Sequence, residues 1–232
     1  MNNFTIIIPI FNESECIFVL IEEILNEYKG KKPEILIIND GSNDDFDKNK
    51  KILKKKKISI QNHYKNLGKC RAMETGVKKS KNDLICVMDG DGQNPPYEIK
   101  KLYNQWKEVS RNNSKFLLIC GNRISRKDTL LKKISSLIAN KLRKFLLNDD
   151  CNDTACAFKM FRRQDYLQIN YFKNMHRFLP ALFKMHGGKI QNVMVDDRKR
   201  FGGKSKFNFN NRFWVGIIDL IKVWILINKR RF

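Results

Sequence analysis

Three uninterrupted apolar runs, Thr5-Ile6-Ile7-Ile8-Pro9, Glu34-Ile35-Leu36-Ile37-Ile38 and Leu84-Ile85-Cys86-Val87-Met88, constrain the fold of this chain more than any other feature. None alternates polar with apolar residues, so each predicts a strand buried on both faces, as in a parallel sheet covered by helices. Helical spacing fills the gaps. Glu13 to Tyr28 repeats Ile17, Leu20, Ile21, Ile24 and Leu25, and Arg71 to Ser80 predicts a second helix before the third run. Ile58-Ser59-Ile60, Phe116 to Cys120 and Phe158 to Phe161 predict further strands, residues 127–147 a basic amphipathic helix, and Phe178 to Met185 another helix. Four βα units with right-handed crossovers predict an α/β fold: a doubly wound, mostly parallel sheet with helices on both faces, binding ligands where the strands' carboxyl ends open. At 232 residues a single core is expected.

The turns closing these runs carry the candidate chemistry. Asp89-Gly90-Asp91-Gly92 follows the third run. Alternate residues of an extended backbone point to opposite sides, so the two carboxylates meet only if the chain turns, which Gly90 and Gly92 permit. Once together they repel unless a cation or proton intervenes, and hard oxygen donors favour Mg²⁺ or Mn²⁺ completing its shell on a diphosphate. The same residues equally compose a plain surface turn. Asp40-Gly41-Ser42-Asn43-Asp44 reads either as a ligand loop or as an Asx turn capping the next helix. With Asn12-Glu13 after the first run, three polar loops line one sheet edge, a row that suits a nucleotide.

Lys and Arg number 46 against 24 Asp and Glu, a formal charge of +22, which points to an anionic partner: nucleic acid, acidic lipid or a phosphorylated small molecule. With no recognition-helix motif, RNA-binding aromatic signature or zinc knuckle, nucleic acid is set aside. The lysines between Lys50 and Lys57 read as the solvated face of a helix end. Six cysteines without a C-x-x-C pair predict reduced, mostly buried thiols, and His63, His176 and His186 read as structural or surface residues. Met1-Asn2-Asn3-Phe4-Thr5 lacks the basic and long apolar stretches of an export signal, which predicts a cytoplasmic protein. Phe213 to Phe232 is apolar but broken by Asp219 and Lys222. With Trp214, Trp224, Lys229, Arg230 and Arg231 it suits an amphipathic interfacial helix on a membrane, and it equally suits a helix packed on the core. The expected organisation is a domain over 1–210 and a membrane-associating segment over 211–232.

Motif order adds a family. Pro9-Ile-Phe-Asn12-Glu13, Asn39-Asp40-Gly41-Ser42-Asn43-Asp44, Asn66-Leu-Gly68-Lys69 and Asp89-Gly-Asp91-Gly-Gln93-Asn-Pro95-Pro96 resemble the P-x-x-N-E, D-D-G-S-x-D, N-x-G-K and D-x-D-x-Q-x-P-P signatures of inverting glycosyltransferases with the GT-A fold, glycosyltransferase family 2. Gly121-Asn122-Arg123, Lys132-x3-Ser136-x3-Asn140, Asp153 to Lys159 and Arg200 to Phe207 resemble the subgroup of polyprenyl-phosphate sugar synthases related to dolichol-phosphate mannose synthase. The chain departs from the pattern at Asn39, Gly90, Gly92, Ala157 and Asp197, none of which removes the paired aspartates. Many relatives continue into transmembrane helices; this chain resembles the shorter, peripheral members.

The resemblance implies a GT-A, Rossmann-like nucleotide-diphospho-sugar transferase fold. It implies inverting transfer of a hexose from a donor of the GDP-mannose or UDP-glucose type to dolichyl or undecaprenyl phosphate. Pro9, Asn12, Glu13, Asp40, Ser42, Asp44, Lys69 and Asp89 would hold the donor nucleotide, and Asp89, Asp91 and Gln93 an Mg²⁺ or Mn²⁺ ion. Arg123, Lys132, Ser136, Arg200 and Ser205 would meet the acceptor phosphate. Asp89, Asp91 and Asp153 would form the catalytic group, Asp153 lining the sugar pocket as a positioning residue or a base. The alternative is a saccharide hydroxyl acceptor, as in polysaccharide or lipopolysaccharide assembly. The expected place is the inner face of the cytoplasmic membrane, held peripherally by its anionic surface.

Overall fold

The computed structural model describes residues 3–30, 32–111, 115–124, 141–202 and 209–229, without the side chains of 48, 49, 51 and 209–215. Its strands are β1 (Phe4–Ile10), β2 (Glu34–Asn39), β3 (Ser59–Asn62), β4 (Leu84–Val87), β5 (Leu118–Arg123), β6 (Lys159–Arg162) and β7 (Ile190–Val195). Its α-helices are α1 (Ser14–Glu27), α2 (Phe46–Lys55), α3 (Lys69–Lys79), α4 (Ile99–Ser110), α5 (141–147), α6 (Arg163–Leu167), α7 (Leu179–Met185) and α8 (Phe209–Lys229). The seven strands form one sheet in the order β3-β2-β1-β4-β6-β5-β7.

The continuous apolar runs become the central strands. β1 pairs in parallel with β2 and β4, and β2 with β3. Successive residues of a strand face opposite sides, so Ile6, Ile8 and Ile10 pack with Ile17, Leu20 and Ile24 of α1 and Leu102 and Trp106 of α4, while Ile7 packs with Met73 and Val77 of α3. Each such aliphatic side chain contributes about 1.5–3 kcal/mol on burial. α3 lies especially close, because a Cβ on Gly76 would stand 2.4 Å from Ile7 Cγ2.

Two features depart from a simple βα series. β6 runs antiparallel to both β4 and β5, and β7, which no apolar run announces, pairs in parallel with β5. In the basic helix expected over 127–147, residues 141–147 are helical and 125–140 lie outside the described residues. The lysines of the 50–57 run fall on α2 and the turn behind it, and all six cysteines are free and buried. Of the two readings of the C-terminal stretch, α8 shows core packing on one side: Leu220, Val223 and Ile227 join the core, while Ile218, Ile221, Trp224, Ile225 and Leu226 face outward. Asp219, on its inner side, accepts a hydrogen bond from Asn174 Nδ2 at 2.8 Å. Among the described residues no helix is long and apolar enough to cross a membrane.

The register aligns the carboxyl ends of the first strands, with Ile10 opposite Asn39 and Asn39 opposite Asn62. Loops 11–13, 40–45, 63–68 and 88–95 therefore open along one edge.

Candidate active site

The loop after β4 turns as the two glycines allow. Gly92 sits at φ +79°, and Gly90 approaches β1 so closely that a Cβ would stand 2.5 Å from Ile10 Cγ2. The Asp89 backbone N–H donates to Asn94 Oδ1 at 3.2 Å, and that of Gln93 to Asp91 Oδ1 at 3.0 Å. Both carboxylates meet cations: Lys69 Nζ donates to Asp89 Oδ1 at 2.5 Å, and Arg200 reaches Asp91 Oδ2 at 2.9 Å and Glu13 Oε1 at 3.1 Å. Burial, then the charge of Asp89, pushes the Asp91 carboxyl above the usual carboxylate range despite Arg200 and Lys69. Two hard carboxylates that repel each other and draw positive groups fit a divalent cation by donor chemistry. Among the described residues no cluster of three or more His, Cys, Asp or Glu converges as a metal site.

A strap crosses this loop. The Arg198 N–H donates to the Gln93 carbonyl and the Phe201 N–H to that of Asp91, both at 3.2 Å. Arg198 Nε donates to the Gly92 carbonyl at 2.6 Å, its guanidinium pairs with Glu23 and it lies over the Phe201 ring. Gln93, expected beside a metal, directs Nε2 to the Arg198 carbonyl at 3.5 Å. Arg200, expected at the acceptor phosphate, stands between the carboxylates of Glu13 and Asp91.

The loops after β1 and β2 are laced together. The Asn12 N–H donates to Ser42 Oγ and the Asn43 N–H to Asn12 Oδ1, each at 2.9 Å. Asp44 is a cap, accepting from the Ser14 N–H at the start of α1 (2.9 Å) and from Phe46 N at the start of α2 (3.3 Å). Asn12, Glu13, Ser14, Glu15, Cys16 and Asp44 line a shallow cleft, and Pro9 is the penultimate residue of β1. Asp40 is buried: Oδ2 accepts from Gly68 N at 2.7 Å, and Oδ1 accepts from Leu67 N at 3.0 Å and lies 2.6 Å from His63 Nδ1. The sequence offered the Asp40–Asp44 segment as a ligand loop or a turn capping the next helix; Asp44 does the capping at α2, and Asp40 fastens the loop before α3.

Across the sheet, Arg123 at the end of β5 grips Asp153, with Asp197 4.0 Å from NH1. Lys132, Ser136 and Ser205 lie outside the described residues. Arg143 of α5, which sequence reasoning passed over, is buried beside the fully buried Asp149 and donates to the Cys151 carbonyl and Thr154 Oγ1, on either side of Asp153. The sequence pattern hid it, since Arg143, between Lys141 and Lys144, reads only as one more charge of a basic amphipathic helix. Arg198 and His63 were not assigned to the site either, their partners being distant in sequence.

A family model described as Glycosyl transferase family 2 matches residues 5–169. The chain belongs to glycosyl transferase family 2. It is 30% identical over 234 residues to dodecaprenyl-phosphate galacturonate synthase of Rhizobium johnstonii, a match covering 97% of this chain and 68% of that protein. With undecaprenyl-phosphate 4-deoxy-4-formamido-L-arabinose transferase of Pectobacterium atrosepticum it shares 27% over 217 residues, 90% of this chain and 64% of the relative. The chain thus spans about two thirds of the length of these curated relatives. Among solved structures, glucosyl-3-phosphoglycerate synthase from Mycobacterium tuberculosis, in complex with Mn²⁺, UDP-glucose and phosphoglyceric acid, matches with a TM-score of 0.72 over 97% of this chain and 79% of that one. At 13% identity the likeness is one of fold, and it bears out the GT-A architecture of this family 2 chain.

Proposed function

We propose that this family 2 chain transfers a sugar from a nucleotide-diphosphate donor to a polyprenyl phosphate, with inversion at the anomeric carbon. The observation that carries the reading is the pairing of Asp89 with Lys69 and of Asp91 with Arg200 at the carboxyl edge of the sheet, in a chain whose relatives are named for transfer to dodecaprenyl and undecaprenyl phosphate. The finer donor assignment is a hexose on GDP or UDP, of the GDP-mannose or UDP-glucose type. Asn12, Glu13, Ser42 and Asp44 line the nucleotide, with Pro9 and Asp40 behind them.

Asp89 and Asp91, with Gln93 beside them, would hold Mg²⁺ or Mn²⁺, which supplies Lewis-acid stabilisation of the diphosphate as it leaves. Lys69 adds a fixed positive charge where negative charge develops, the place where preorganised electrostatics lowers a barrier most. An acceptor phosphate oxygen forms the new bond to the anomeric carbon as the bond to the donor's diphosphate breaks on the opposite face. A phosphate monoester, with a second pKa of about 6, is already largely dianionic at neutral pH, so no strong base is needed. Asp153, with both oxygens on Arg123, suits a positioning role. Arg123, Arg200, Lys132, Ser136 and Ser205 form the acceptor-phosphate group, the arginines offsetting repulsion between two anionic substrates.

The outward apolar face of α8 and the +22 charge support peripheral binding to the inner face of the cytoplasmic membrane, with 1–210 as the catalytic domain and 211–232 as the membrane-associating segment. The test is incubation of purified protein with undecaprenyl phosphate, Mg²⁺ or Mn²⁺ and a panel of radiolabelled nucleotide sugars. Label passing into an organic-extractable, mild-acid-labile product supports the reading. Label passing only into a saccharide acceptor, or no transfer with any donor, rejects it.

A further inference from the structure

Asp40 and His63 are the first residues past two adjacent parallel strands, and the register Asn39 opposite Asn62 sets them side by side. The His63 N–H donates to the Asn39 carbonyl at 2.8 Å, which fixes its backbone. Its ring bridges two elements: Nδ1 lies 2.6 Å from Asp40 Oδ1, and Nε2 lies 2.9 Å from Thr75 Oγ1 on α3. Both side chains are nearly out of solvent, 9% exposed for His63 and 4% for Asp40. Asp40 in turn accepts the backbone N–H groups of Leu67 and Gly68. Gly68, at φ +90°, is the residue before α3, and Lys69 opens that helix with its ammonium on Asp89. The glycine of the same turn adds a steric stop, since a Cβ on Gly41 would lie 2.3 Å from the Lys65 carbonyl carbon.

We propose that His63 is a positioning residue: through Asp40 it sets the 66–68 loop and hence the point from which Lys69 addresses Asp89. This rests on the function proposed above for its catalytic consequence, but not for its structural one. A buried carboxylate holding two amides needs its own orientation fixed, and the His63 ring, tied to α3 at its far nitrogen, fixes it. The effect belongs to turnover more than to donor binding, because Lys69 acts on charge that grows as the diphosphate departs.

The experiment compares parent, H63A, H63N, H63Q and T75V by amide hydrogen exchange and by steady-state transfer kinetics. In H63A, exchange at Leu67 and Gly68 rises by about tenfold while the amides of β1 and β2 keep their protection. kcat falls by about tenfold to a hundredfold, with donor KM within about threefold of the parent. H63N, whose amide can replace Nδ1 toward Asp40, recovers most of both losses; H63Q, which reaches toward Thr75 instead, does not. T75V, which keeps the ring and loses only its outer tie, moves both readouts the same way by a smaller factor and carries the test if H63A does not fold.

Unchanged exchange at Leu67 and Gly68 in H63A, or in T75V where that variant carries the test, overturns the proposal, as does H63N behaving like H63A. The exchange readout needs no substrate. A parent enzyme that transfers no sugar therefore defeats the functional reading, and Leu67 and Gly68 still decide this one.

Discussion

Arg123 holds Asp153 by two parallel contacts, Nε to Oδ2 at 2.6 Å and NH2 to Oδ1 at 3.1 Å. Burial works against the guanidinium's charge, but the hydrogen bonds and charge of Asp153 outweigh it and raise the Arg123 pKa. Breaking such a pair from one side strands the other charge. R123A is expected to lose about 3–5 kcal/mol in urea denaturation. The R123A/D153A double variant loses less than the sum of the singles, with a coupling of about 1–3 kcal/mol. Additive losses would show that the pair does not act as a unit.

Asp91 trades stability for chemistry. Its folded carboxyl titrates above the unfolded value of 3.8, so between the two the native state binds more protons than the unfolded chain, and stability falls as pH rises through that window. D91N removes the repelled charge and leaves Arg200 with Glu13. Its melting temperature without metal is expected to exceed the parent's by about 2–4 °C at neutral pH, and the gap closes below the unfolded pKa. Sugar transfer falls by on the order of a hundredfold or more. A D91N protein less stable than the parent at pH 7 would contradict this.

Arg143 and Asp149 form a buried pair whose guanidinium also brackets Asp153 through Cys151 and Thr154. R143M alone leaves Asp149 unpaired and costs about 3–5 kcal/mol, whereas R143M/D149L recovers most of it, since a well-packed apolar pair replaces a buried ion pair at little cost. Transfer activity should stay depressed in the double variant, because the anchors flanking Asp153 are still missing. Full activity in R143M/D149L would restrict Arg143 to stability.

Much of this fold is legible in the sequence because its central strands are buried on both faces. β1, β2 and β4 advertise themselves as unbroken apolar runs, and α1 by the spacing of Ile17, Leu20, Ile21 and Ile24. β7 is silent, because Ile190-Gln191-Asn192-Val193-Met194-Val195 is half-exposed at the sheet edge and mixes polar with apolar residues. β6 is legible as a strand but not in direction, which depends on pairing with β4 and β5. At the site, the acidic turns show which carboxylates gather at the edge, but not their partners. Arg200 reaches Glu13 across 187 positions and Asp91 across 109, and no local spacing encodes such a contact. Asp44 and Asp40 illustrate the same limit: the turn reads as a cap for the next helix, but only the folded loops bring Asp44 to the start of α1 as well and make Asp40 a clamp on Leu67 and Gly68.

The two sides of α8 are expected to respond differently. I221E and W224E, on the outward face, should leave the melting temperature within about 2 °C of the parent and abolish sedimentation with phosphatidylglycerol vesicles. V223E, on the inward face, should destabilise the fold. Binding of the parent should weaken steeply with salt, since each Lys or Arg near an anionic surface contributes about 1 kcal/mol. Undiminished vesicle binding by I221E/W224E would remove α8 from the membrane contact.

The account stands on Asp89 and Asp91 holding a cation against the donor's diphosphate, and calorimetric titration of UDP and GDP in the presence and absence of Mn²⁺ measures that directly. The expected result is metal-dependent binding of one nucleotide by the parent, weakened by at least about tenfold in D89N and in D91N. Equal affinity with and without Mn²⁺, or parent-like binding by the D89N/D91N double variant, would contradict it.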